Sequence, residues 1–334
     1  MTQLSYSFII PVYNRPKEIE ELLESFLNLE GNFDYEIVIV EDGSTETSEN
    51  VICSYIDKLN ISYYFKSNSG PGDSRNYGMQ RAKGNYYIIL DSDVILPEQY
   101  LQEVDNFLKQ KFYHCFGGPD GAHDSFSDLQ KAINFSMTSF MTTGGIRGGS
   151  EAIENFQPRS FNLGLSQEAY KATKGFGKIH PGEDPDLILR LWEMGYKTSL
   201  IKNAFVYHKR RISWNRFYKQ VNKFGQVRPI LNKWHPSSAK ITYWFPTLFL
   251  FVFVISLLLS FVGLYHLLLL YGIYFLILFA SSFLVTKNIK VAIMSIGATC
   301  IQFYGYGIGF FKSTIKLLTT KKSAETIFPN LFFK

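Results

Sequence analysis

Along the first ninety residues, short apolar runs alternate with stretches whose apolar residues recur at helical spacing. Residues 6–12 form an apolar run followed by Asn14 and Pro16, which reads as a buried strand and a turn. Residues 17–29 then place Ile19, Leu22, Leu23, Phe26 and Leu27 on one helical face. A strand over 36–40 closes on Asp42-Gly43-Ser44. A helix over 48–59, a strand over 61–65, a helix over 75–82 and a strand over 86–90 follow, the last running into Asp91. Strands alternating with helices predict parallel crossover units and an α/β sheet. In such sheets ligands bind beyond the carboxyl ends of the strands. Asn14, Asp42, Asp91 and Asp93 gather at those ends, which points to a nucleotide-type ligand without naming a reaction.

From residue 117 the alternation weakens, and the glycine-rich run over 142–149 reads equally as a lid or a connector. Residues 213–233 predict an amphipathic helix. Trp214, Phe217, Tyr218, Val221 and Phe224 lie on one stripe, and Arg216, Lys219 and Lys223 surround it. Such a helix can face a core or lie at a membrane interface, and its place in the chain favours the interface. An apolar region over 241–312 divides at Gly263 and at Lys287 and Lys290 into segments of spanning length, 243–261, 264–285 and 291–311. Two to three membrane helices and a basic tail over 313–334 are expected. Positive residues favour the cytoplasmic side, so three full spans would put Lys312, Lys316, Lys321 and Lys322 on the wrong side. The third segment is therefore either re-entrant or an exception to that rule.

Charge and cysteine usage sharpen this picture. The net charge of +5 conceals eleven Lys or Arg and no Asp or Glu over 197–240. Placed just before an apolar region, such a block suits anionic membrane lipids better than nucleic acid, and no nucleic-acid partner is expected. Cys53, Cys115 and Cys300 have neither disulfide nor zinc spacing. The first residues lack the pattern of a cleaved signal. A multi-pass protein of a bacterial inner membrane, with residues 1–235 as a cytoplasmic domain, is the expected arrangement.

Two acidic pairs carry the candidate chemistry. Asp91 and Asp93, two apart at a strand end, can turn oxygen ligands toward one hard cation, which would neutralise a diphosphate leaving group. Isolated Asp-x-Asp triplets also occur in surface loops. Glu183-Asp184 precedes an apolar helical run and could simply favour a helix start. Alternatively it supplies a general base that deprotonates an acceptor hydroxyl.

Five segments occur in order: Ser7-Phe8-Ile9-Ile10-Pro11-Val12-Tyr13-Asn14, Val38-Ile39-Val40-Glu41-Asp42-Gly43-Ser44, Gly70-Pro71-Gly72-Asp73-Ser74-Arg75-Asn76, Leu90-Asp91-Ser92-Asp93 and Gly182-Glu183-Asp184. Together they resemble the family 2 glycosyltransferases of GT-A fold, over about residues 5–235. The resemblance implies that Pro11, Tyr13 and Asn14 lie beside the nucleotide, that Asp42 bonds its base and that Arg75 and Asp91 hold the diphosphate region. It implies a divalent metal, Mn²⁺ or Mg²⁺, on Asp93 and Asp91, completed by His208. It makes Asp184 the catalytic base. Asn162, Glu183 and Arg211 would belong to the acceptor region, with Gly175 and Phe176 shaping its pocket. Glu41 departs from the family pattern, where aspartate is common. The Gln-x-x-Arg-Trp motif of processive members is absent, and the run over 305–309 looks like that of membrane-bound members.

The implied function is non-processive, inverting transfer of a sugar from a UDP- or GDP-linked donor to a lipid-linked or cell-surface glycan. Three alternatives remain. A polyprenyl phosphate could be the acceptor, or the chain could be a non-catalytic scaffold. A sugar-nucleotide pyrophosphorylase would carry a basic glycine-rich loop where this chain has Tyr13-Asn14-Arg15-Pro16.

Overall fold

The computed structural model describes residues 3–121, 126–144, 156–208 and 213–333. Numbered in chain order, its strands are β1 (Tyr6–Val12), β2 (Tyr35–Asp42), β3 (Ile61–Lys66), β4 (Tyr86–Leu90), β5 (Val94–Ile95), β6 (Cys115–Gly117), β7 (Asp120–Gly121), β8 (Asn162–Ser166), β9 (Thr198–Leu200) and β10 (Val206–His208). Its first helices are α1 (Pro16–Leu27), α2 (Glu49–Cys53), α3 (Pro71–Arg81), α4 (Tyr100–Gln110), α5 (Asp128–Thr138), α6 (Phe140–Thr143), α7 (Gln167–Thr173) and α8 (Glu183–Glu193). α9 (Trp214–Trp234), α10 (Phe245–Ser260), α11 (His266–Thr286), α12 (Ile289–Thr319) and α13 (Ala324–Ile327) complete the set. Two compact units emerge, one from residues 1–123, 151–208 and 332–334, the other from 124–150 and 209–331.

The first unit is the expected α/β sheet. Its seven strands run in the order β3-β2-β1-β4-β8-β6-β9. β1 pairs in parallel with β2 and β4, whereas β8 is antiparallel to β4 and β6. Strands buried on both faces read as continuous apolar runs. Phe8 and Ile10 pack with Ile19, Leu22, Leu23 and Phe26 of α1 on one face. Ile9 packs with Val38, Val40 and Ile89 and with Leu187, Ile188 and Leu191 of α8 on the other. Two helices differ from their sequence-based bounds. α3 begins at Pro71, whose missing N–H suits the first helical turn. α2 stops at Cys53, where the Ser54 hydroxyl bonds the Val51 carbonyl at 2.6 Å and competes with helix continuation.

The second unit is helical and includes α9, which the sequence reading joined to the catalytic domain. Phe217 and Val221 of α9 are buried with Ile133, Met137 and Ala298, so α5 and α12 cover the stripe expected at an interface. α10, α11 and α12 lie in helices long and apolar enough to cross a membrane. α12 is one unbroken helix of 31 residues, about 46 Å long, and it contains Lys312 and Lys316. Its glycines allow close packing. A Cβ on Gly305 would lie 2.6 Å from Val221 Cγ2, and a Cβ on Gly309 would collide with the Asn222 carbonyl. Asn222 Nδ2 donates to Gly305 O at 2.9 Å, and the Thr247 hydroxyl donates to Gly307 O at 3.0 Å. Small residues and interhelical hydrogen bonds of this kind hold apolar helices together where hydrophobic drive is weak. Gly305→Val should therefore separate α9 from α12 and destabilise the helical unit by about 1–3 kcal/mol. Thermal unfolding in detergent checks this. A melting temperature equal to that of the unsubstituted protein would show that the close approach does not matter.

Candidate active site

The residues after β1, β2 and β4 come to one edge of the sheet, and each is fixed by a local reason. Asn14 adopts a left-handed backbone, φ 53°, which asparagine tolerates better than most residues. Its Oδ1 accepts from the backbone N–H groups of Thr45 and Glu46 at 2.8 and 3.0 Å, so its amide secures the 44–46 turn. Pro11 lies within β1 opposite Val40, and Tyr13 stands 52% exposed at the strand's end. Glu41 is fully buried and accepts from Ser48 N at 2.9 Å and from the Ser44 hydroxyl. The longer glutamate is thus spent on the turn.

Asp42 is buried as well. Lys66 Nζ and the Ser69 N–H reach its Oδ1 at 2.6 and 2.9 Å, and the Gly70 N–H reaches its Oδ2 at 2.9 Å. Asp42 thereby fixes the loop that starts α3. On α3, the buried Arg75 guanidinium places Nη2 2.7 Å from Asp91 Oδ1 and Nη1 3.0 Å from Glu183 Oε1. Its Cζ lies 5.2 Å from the centroid of the Phe176 ring. Burial alone would lower the Arg75 pKa, but the two carboxylates outweigh burial and raise it.

Among the described residues, Asp91, Asp93 and His208 offer ligand atoms within 4.8 Å of one another. Strand register explains this grouping. β10 pairs antiparallel with β5, setting His208 opposite Val94 and hence beside Asp93. His208 Nε2 lies 3.3 Å from Asp93 Oδ1, the ring stacks on Phe161 at 4.9 Å, and Arg15 Nη1 is 2.5 Å from Asp93 Oδ2. Burial pushes the Asp93 pKa up, yet His208 and Arg15 prevail and hold it well below the usual carboxylate range. Two carboxylate oxygens and one imidazole nitrogen, with no sulfur, fit Mn²⁺ or Mg²⁺.

Glu183 and Asp184 open α8 and meet different partners. Glu183 is buried between Arg75 and His180, whose Nδ1 lies 3.1 Å from Oε1. Burial raises its pKa, but His180 and Arg75 bring it down to about 2. Asp184 is more open, with Arg159 Nη1 3.7 Å from Oδ2. Asn162 departs from its expected place in an acceptor pocket. It is fully buried, accepting from the Tyr100 hydroxyl at 2.6 Å and donating to Ala204 O at 2.8 Å. Arg211 lies outside the described residues. Phe176 supports Arg75 from below, held by reciprocal hydrogen bonds with Asn76 at 2.8 and 2.9 Å.

Sequence reasoning missed Arg15, Lys66 and Arg159. Arg15 and Lys66 sit at strand ends, so the rule that selected Asn14 and Asp42 could have found them. Arg159 has no such signal, because only the turn into β8 brings it to Asp184.

The family model described as glycosyl transferase family 2 matches residues 7–171. This part of the chain belongs to glycosyl transferase family 2. The poly(ribitol-phosphate) β-N-acetylglucosaminyltransferase TarS of Staphylococcus aureus (strain Mu50) is 31% identical to the chain over 110 residues, 32% of this chain and 19% of that protein. The chondroitin synthase of Escherichia coli is 27% identical over 236 residues, 61% of this chain and 34% of that protein. The chain spans less than half the length of these relatives. The mannosyltransferase PcManGT of Pyrobaculum calidifontis, solved with GDP-Man and Mn²⁺, superposes with a TM-score of 0.57 at 14% identity, covering 96% of this chain and 89% of that one. At that identity the likeness shows the fold alone, which is the GT-A fold of the family 2 domain.

The buried Glu183 gives the α/β unit an acid response. Its folded-state pKa lies below the ordinary 4.5, so its contribution to stability is full above about pH 4.5 and is lost as pH falls toward 2. Glu183→Gln should flatten stability against pH across that window. Chemical denaturation between pH 2 and 6 measures it; parallel curves for the two proteins would contradict the assignment.

Proposed function

We propose that the chain transfers a sugar from a nucleotide-sugar donor to a hydroxyl of a lipid-linked or cell-surface glycan, with inversion and one sugar at a time. The observation that carries this reading is the buried guanidinium of Arg75, which binds Asp91 with one nitrogen and Glu183 with the other. A candidate cation cluster and a candidate base thereby lie at one edge of the sheet, which supports a donor bound there. Asp91, Asp93 and His208 would hold Mn²⁺ or Mg²⁺, which when bound neutralises charge on the departing nucleoside diphosphate.

In the proposed reaction the acceptor oxygen forms a bond to the anomeric carbon as the bond from that carbon to the diphosphate breaks. Asp184 takes the acceptor's proton, while Arg75 lends positive charge near the diphosphate. Tyr13 and Pro11 flank the donor's base, and Asp42 shapes that end of the pocket through the 66–70 loop. The three apolar helices fit a membrane-associated protein whose acceptor is held in or near lipid, and a cytoplasmic catalytic domain accords with the basic residues before them.

A second reading is favoured by Arg159 beside Asp184. A polyprenyl phosphate acceptor needs no strong base, and Arg159 would pair with its charge. Incubation of the detergent-purified protein with a sugar-nucleotide panel, lipid acceptors and Mn²⁺ tests both readings. Metal-dependent nucleotide release is expected from one donor, with a loss of about 100-fold or more in Asp93→Ala and in Asp184→Asn. Full activity of Asp184→Asn on a polyprenyl phosphate would move the second reading to the front. Absence of transfer to any acceptor would count against both. Titration of Mn²⁺ by electron paramagnetic resonance should show loss of bound ion in His208→Ala, independently of turnover.

A further inference from the structure

Phe332 and Phe333 fold with the α/β unit, although residues 209–331 belong to the helical one. Phe332 forms an antiparallel bridge with Ile179, and the Phe333 N–H donates to Lys178 O at 3.1 Å. The two residues thus add a short extended strap to the loop just before α8. The Phe333 ring meets the His180 ring with centroids 5.5 Å apart. Its other neighbour is Gly70, where an added Cβ would collide with three atoms of the ring. The ring is wedged between Gly70 and His180.

Both neighbours are joined to the proposed site. The Gly70 N–H donates to Asp42 Oδ2 at 2.9 Å and Gly70 directly precedes α3, which carries Arg75. His180 Nδ1 lies 3.1 Å from the Glu183 oxygen that Arg75 also binds. Asn76 holds the loop at Phe176, Arg190 holds it at Gly175, and His180 meets Glu183 within it. Gly175, Gly177 and Gly182 fall within eight residues of chain, and glycine loses more backbone freedom on ordering than any other residue. Contacts from outside the loop help to supply that order.

We propose that Phe333, with the main-chain pairing of Phe332, is a positioning residue that holds the 178–183 loop and so keeps Asp184 in place for proton abstraction. This rests on the functional reading above. Misplacing a reacting group by about 1 Å can cost roughly 100-fold in rate. Phe333→Ala should therefore lower kcat by about 10-fold to 100-fold, and Phe333→Leu should restore most of the loss. Combining Phe333→Ala with His180→Ala should cost little more than the worse single change, because both act through one contact.

Hydrogen exchange supplies a readout that does not depend on turnover. In Phe333→Ala, amides of 178–183 should exchange faster while those of β4 keep their protection. Faster exchange throughout the domain would make Phe333 a packing residue only and overturn the proposal. So would unchanged exchange at 178–183, or a kcat within about 2-fold of the unsubstituted protein. If that protein transfers no sugar to any acceptor, the functional reading fails, and exchange alone decides whether the strap orders the loop.

Discussion

A guanidinium removed from water must be matched by carboxylates, and Arg75 meets two of them from elements far apart in the chain. Asp91 comes from the end of β4 and Glu183 from the start of α8, each against a different nitrogen of one planar fork. The Phe176 ring covers the fork's face. Deleting one member of such a buried set leaves uncompensated charge and typically costs about 3–5 kcal/mol. The set is therefore a constraint on geometry as much as a source of stability. α3, β4 and α8 cannot shift independently without breaking it, and the candidate cation ligands and base inherit that fixed relation.

The same logic of shared acids recurs at Asp93, where Arg15 occupies one oxygen and His208 faces the other. Each aspartate of the pair is held by an arginine from a different helix or turn. Pre-positioned in this way, the two carboxylates would spend little conformational entropy on capturing a cation. The three-stranded sheet of β5, β10 and β7 has few residues, yet its register alone sets His208 beside Asp93.

The helical unit obeys a different constraint. Alongside the apolar stripe of α9, its contact with α12 depends on how closely the two backbones approach. Gly225 of α9 and Gly305 and Gly309 of α12 remove the side chains that would prevent this approach. Side-chain hydrogen bonds between Ser136 and Gln302, and between Ser282 and Ser295, add to the packing.

The sequence by itself determined the alternating elements of the sheet, the apolar helices and the acids at the strand ends. These are local properties, written in residue spacing and in the continuous burial of β1 and β4. It also singled out Arg75, Asp91, Asp93, Asp184 and His208 by their motifs. Tertiary structure decided most of which acids face which cations, because Arg15 and Arg159 find Asp93 and Asp184 across turns and strand pairings that no local spacing encodes, whereas His180 meets Glu183 only three residues on. It placed Asn162 in the core instead of a pocket, since both ends of its amide are taken by distant groups. It also withdrew α9 from the catalytic unit, because a basic amphipathic helix has the same residue pattern whether lipid or other helices cover its stripe. Long-range pairing sets those outcomes, and it depends on the whole chain.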